Sequence, residues 1–101
     1  MAQFDIHRNN NLESAHEFPY LLDIQSDILS GLDTRVVVPL SENIKAIQHL
    51  NPVFEIENKS YVLLTQELAG VHKSALGEKC SSLRDKRSEV IASIDFMVSG
   101  F

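Results

Sequence analysis

The chain has 101 residues, 44% of them hydrophobic and 23% charged, and a net charge of −5. That is the composition of an ordinary globular protein, so one domain spanning 1–101 is expected, and disordered, collagen-like and coiled-coil classes are excluded. Nine basic residues against fourteen acidic ones disfavour a protein that tracks nucleic-acid phosphates, which needs clustered positive charge. A single cysteine, Cys80, forms no internal disulfide, which removes the small secreted disulfide scaffolds. No apolar run approaches the length of a membrane-spanning helix, and Met1–Arg8 carries no charged start followed by an apolar block. A cytoplasmic protein with no membrane contact is the expectation.

The first two thirds read as β-structure. Gln3–His7 places Phe4 and Ile6 on one face, the period of a half-buried strand. Residues 9–14 are polar and turn-prone, and Pro19 precedes a second strand, Tyr20–Ile24. Gly31-Leu32-Asp33 turns the chain into Arg35–Leu40, whose consecutive valines predict burial on both faces. Val53–Glu57 and Ser60–Thr65 bracket Asn58-Lys59, a hairpin signal. Gln66–Val71 continues into a short strand or turn. From Leu83 the period changes: Leu83, Val90, Ile91, Ile94, Met97 and Val98 follow helical spacing. Ser81 or Ser82 is the expected cap, Asp85 lies in the first turn, and Gly100 stops the helix. The order predicts a mainly β or α+β barrel-like domain of antiparallel strands closed by a C-terminal helix.

Catalytic groups are hard to find. His7, His16, His49 and His72 are 9, 33 and 23 residues apart, with no metal-ligand spacing. No metal or cofactor is expected, and the histidines read as surface or structural residues. The glycines are scattered, so no phosphate-cradling loop exists. Cys80 with His72 lacks the third group that would orient a thiolate pair. Asp23 and Asp27, if both in a strand, share a face, as do Glu55 and Glu57. Such pairs suit acid–base work, yet solvent-facing alternation in an antiparallel sheet is the better account of both. A binding protein, not an enzyme, is the expectation. Ile94–Phe101 is apolar around most of the helix, so Phe96 and Phe101 point away from the face that packs on the sheet. Chain ends are ordinarily polar and frayed, and an apolar one points to a subunit or partner interface.

Four stretches together resemble the CcdB toxin family: Asp23-Ile24-Gln25-Ser26-Asp27-Ile28-Leu29, Arg35-Val36-Val37-Val38-Pro39-Leu40, Asn51-Pro52 before the hairpin, and Ile94–Phe101 with its glycine one residue from the end. The resemblance runs over essentially the whole chain. It implies an SH3-like antiparallel barrel with a small additional sheet and a C-terminal α-helix, assembled as a homodimer. It also implies a type II toxin–antitoxin system of the kind used in plasmid maintenance. The toxin of such a module binds the A subunit of DNA gyrase and traps the enzyme on cleaved DNA. A CcdA-like antitoxin neutralises it and, together with it, represses transcription, so operator DNA is met only through the antitoxin. The gyrase contact carries over to Ser99, Gly100 and Phe101, with Asp95 and Val98 one turn back and Ile28 and Leu29 beside them.

The chain departs from the family where well-known plasmid toxins carry a tryptophan, here Ser99, and where isoleucine is usual, here Phe101. Serine cannot stack on a guanidinium, a loss on the order of 1–2 kcal/mol per chain. Two alternatives follow. One is an antitoxin-binding protein with weak or lost gyrase poisoning. The other is a ribonuclease toxin of the related Kid and MazF fold, in which Asp23 or Asp27 would act as base and Arg35 as phosphate clamp.

Overall fold

The computed structural model describes residues 1–100. Seven strands precede one helix: β1 (Asp5–Asn9), β2 (Tyr20–Asp23), β3 (Thr34–Ser41), β4 (Val53–Ile56), β5 (Lys59–Leu63), β6 (Ala69–His72), β7 (Leu76–Ser82) and α1 (Arg87–Ser99). All pairings are antiparallel, in the order β4-β5-β3-β2-β1-β7, with β6 branching onto β3. β3 serves three partners because it is long. Thr34–Val37 pairs with β6 and Leu40–Ser41 with β5, while its other edge carries β2. The curled half-barrel with its C-terminal helix is the α+β, SH3-like architecture expected.

The curl gives the sheet two buried faces of unequal size. Ile6, Leu22, Val38, Leu40, Phe54, Ile56, Tyr61 and Leu63 fill the larger, closed by Phe4, Leu83 and Val90, with Ile91 and Ile94 packed on it. Leu21, Val37 and Leu76 form the smaller, against Val71 and Ala75. Neighbouring residues therefore serve opposite faces, Leu21 beside Leu22 and Val37 beside Val38. The valine run encodes this two-sided burial.

Several elements differ from the sequence expectation, each for a local reason. β1 begins two residues later because Phe4 takes φ 72°, a left-handed conformation that breaks the strand. It is held by the Phe4 N–H bond to the Asp23 carbonyl (2.6 Å), the Leu83 N–H bond to the Phe4 carbonyl (2.8 Å), and burial of its ring. β1 then lies between β2 and β7, so Asp5 and His7 are buried as well as Ile6. The hairpin turn is Glu57-Asn58, not Asn58-Lys59. Both φ angles are positive (50° and 70°), as a two-residue I′ turn requires, and Lys59 already pairs with Ile56. The helix starts later than its periodicity implies. Leu83 drops into the core ahead of a 3-10 turn, Arg84–Lys86, where Ser82 Oγ accepts the Arg84 N–H at 3.2 Å. Neither Ser81 nor Ser82 therefore caps α1, whose N-cap is Lys86.

β7 bulges against β1 on either side of His7. Here Gly77 approaches so closely that a Cβ would lie 2.5 Å from Asn10 Oδ1 and 2.9 Å from the Arg8 carbonyl oxygen. The His7 ring sits under the same bulge, its Nδ1–H donating to the Gly77 carbonyl at 2.9 Å. That fixes the tautomer, and Nε2 is buried without a partner among the described residues. Asn10 can swing aside but the backbone cannot. Gly77→Ala is therefore expected to lower stability by about 1–3 kcal/mol, read as a lower urea midpoint at unchanged m-value. An unchanged midpoint contradicts this close approach.

Candidate partner-binding surface

The last turn of α1 stands in solvent. Val98 is 78% exposed, and Asp95, Ser99 and Gly100 are exposed with it. Gly100 takes φ 78°, ψ 18°, turning the chain out of the helix while its N–H donates to the Phe96 carbonyl at 2.8 Å. Only glycine adopts that conformation without penalty, which explains its place at the helix end. Ser99 Oγ donates back to the Asp95 carbonyl at 2.7 Å, so its hydroxyl is engaged within its own helix. Phe101, expected to anchor this end, lies outside the described residues.

Ile28 and Leu29 occupy a separate element, the 3-10 turn Asp27–Leu29, with Ile28 92% exposed. A turn showing so much apolar surface needs polar ties, and it has them. Ser26 Oγ accepts the Ile28 N–H (3.3 Å), Gln25 Nε2 donates to the Leu29 carbonyl (2.9 Å), and Asp27 accepts the Gln3 N–H (2.9 Å). The candidate residues thus sit on two separately braced supports, each holding large apolar side chains in water.

The groups weighed as catalytic are engaged in structure. Asp23 and Arg35 are 0% and 2% exposed and bonded to each other, with Nε 2.9 Å from Oδ2. The other Asp23 oxygen accepts the Gln25 N–H at 3.0 Å. Asp27 lies beyond the end of β2, so Asp23 and Asp27 do not share a strand face. Glu55 is on β4, whereas Glu57 is in the turn, where it accepts hydrogen bonds from Arg8 (3.2 Å) and the Tyr20 hydroxyl (3.0 Å). His72 caps a 3-10 turn by accepting the Ser74 N–H, and Cys80 points its sulfur toward the Ile6 carbonyl. Burial pushes the Cys80 thiol up, against the opposing pull of Arg8. A thiolate pair is not assembled. Among the described residues no three His, Cys, Asp or Glu side chains gather as a metal site. No helix among them is long and apolar enough to cross a membrane.

Phe96, which the helical pattern directs away from packing, is half-buried, its ring 5.7 Å from that of His49. A groove of about 610 Å³ opens beside this contact, between segment 42–52 and α1, with Asn51, Pro52 and Glu89 in its walls. No periodicity links positions so distant in sequence.

Two outcomes follow. Arg35→Met alone strands the Asp23 carboxylate in the interior and is expected to cost about 3–5 kcal/mol, measured by urea unfolding; a loss below about 1 kcal/mol contradicts a structural role. Burial, reinforced by the hydrogen bond to Glu57, raises the Tyr20 phenol from 10.0 to about 12. Because the folded pKa lies above the unfolded one, this contribution is complete below pH 10 and lost as pH rises toward about 12. The stability difference between wild type and Tyr20→Phe should shrink across that window. A pH-independent difference contradicts the shift.

A mycobacterial endoribonuclease, solved in complex with its cognate antitoxin, superposes with a TM-score of 0.80 at 10% identity, over 97% of this chain and 94% of that one. At that identity the likeness is one of fold. The family model described as CcdB protein matches residues 3–100. The chain belongs to the CcdB family, the toxin side of toxin–antitoxin modules.

Proposed function

We propose that this protein is a toxin that engages the A subunit of DNA gyrase with the end of α1 and traps the enzyme on cleaved DNA. A CcdA-like antitoxin holds it in check. The carrying observation is the pair of braced apolar displays, Val98 at 78% and Ile28 at 92% exposure. Large apolar side chains left in solvent on a tied turn and a capped helix end favour a partner surface over ordinary packing. Gly100 turns the backbone out of the helix toward such a partner. A homodimer would bring two such ends together as one symmetric wedge.

A second reading, antitoxin capture with weak poisoning, is favoured by one observation. Ser99 Oγ is bonded to its own helix and offers neither an aromatic face nor a free hydroxyl. The ribonuclease reading has less support, because a phosphate has no path to a guanidinium 2% exposed and already paired. The test is DNA cleavage by purified bacterial gyrase with the toxin added. Protein-linked linear DNA should accumulate, and should fall at least tenfold with Val98→Asp or on deletion of Phe101. A folded protein that leaves gyrase unaffected contradicts poisoning and supports the capture reading.

A further inference from the structure

α1 is held on the body of the molecule at its middle, where Val90 and Ser93 are buried and Ile91 and Ile94 pack on the core. The direction of its last turn therefore depends on a few further contacts. Two come from residues 42–52, which cross from β3 to β4 beside the helix. The His49 ring packs on Phe96, centroids 5.7 Å apart and planes tilted by 44°. Thr65 Oγ1 bonds the Leu50 carbonyl at 2.7 Å and lies 3.1 Å from Ser93 Oγ, tying this segment to the middle of the helix.

The segment is itself anchored. Asn51, 5% exposed, accepts the Ile47 N–H (3.0 Å) and donates to the Leu63 carbonyl (3.0 Å) and to Gln66 Oε1 (2.7 Å). Within that closed turn His49 is held at φ 70°, a left-handed conformation unfavourable for a residue with a side chain. Such strain persists only where its surroundings enforce it, and here it delivers the ring to Phe96. Phe96 in turn carries the carbonyl that accepts the Gly100 N–H.

We propose that segment 42–52 is a strap that aims the last turn of α1, with His49 as its positioning residue. The functional half of this inference rests on the gyrase reading; the mechanical half does not. His49 touches no partner in this account and acts through Phe96.

The test uses the full chain with His49→Gly and His49→Asn. Both accept a positive φ, so the backbone turn is kept and only the aromatic ring is lost. Amide hydrogen exchange and urea unfolding are measured alongside gyrase cleavage. Loss of one aromatic contact should speed exchange of the last-turn amides, Gly100 included, by about 2- to 10-fold. The urea midpoint and the Val90 amide should stay unchanged, and the toxin concentration for half-maximal gyrase cleavage should rise by a similar factor. His49→Tyr, which restores a ring, should recover both. Unchanged last-turn exchange in both variants overturns the strap, as does uniform acceleration along α1 with a lowered midpoint, the mark of a merely structural residue. If wild-type toxin leaves gyrase untouched, the gyrase reading falls while the exchange experiment still decides the strap.

Discussion

Asp23 and Arg35 face each other on neighbouring strands, both enclosed, and neither can lose its partner without stranding a charge away from water. Taking two such groups out of solvent is unfavourable unless hydrogen bonds occupy their remaining positions. Here they do. The Asp23 carboxylate accepts from Arg35 and from the Gln25 N–H, and Gln25 accepts the Val36 N–H and donates to the Leu29 carbonyl. The ion pair therefore joins β2 to β3 and continues through one glutamine to the turn that displays Ile28. Since β3 is also the strand on which β5 and β6 assemble, the interaction sits where every branch of the sheet meets.

This arrangement separates polar from apolar work. The Asp23–Arg35 pair is enclosed and satisfied, whereas Ile28 and Val98 stand in water on a short turn and a helix end. A net charge of −5 favours basic protein partners, since an acidic surface attracts them and repels a polyanion. The proposed function thus draws on surface left exposed at the helix end and the Asp27–Leu29 turn.

Much of the architecture was legible in the sequence because strands buried on two faces, a hairpin and an amphipathic helix leave periodic traces. The Arg35–Leu40 run announced a central strand, and Gly100 announced the end of the helix. β7 left no such trace. Leu-Gly-Glu-Lys-Cys-Ser-Ser has little apolar alternation, because the strand lies at the sheet edge and buries little. Leu83 kept helical phase with Val90 while belonging to the turn before it, which displaced the predicted start. The Asp23–Arg35 pair was read as possible chemistry, since the sequence carries both residues but not their burial. Positive φ at Phe4 and His49 was equally hidden, being imposed by tertiary contacts on residues that do not favour it. At the candidate surface, family resemblance located the residues, and the structure added how Ile28, Leu29, Val98 and Gly100 are held.

The claim that toxicity arises from a binding surface, not from the enclosed charge pair, is tested most directly by growth arrest in bacteria expressing Asp23→Asn/Arg35→Gln. This double substitution removes both charges together and leaves two amides able to hydrogen-bond, so no unpaired charge is stranded and the fold is expected to survive with reduced packing. If the pair is structural, the folded double variant arrests growth as the wild type does. A folded double variant that has lost toxicity would place function at Asp23 and Arg35 and contradict the account.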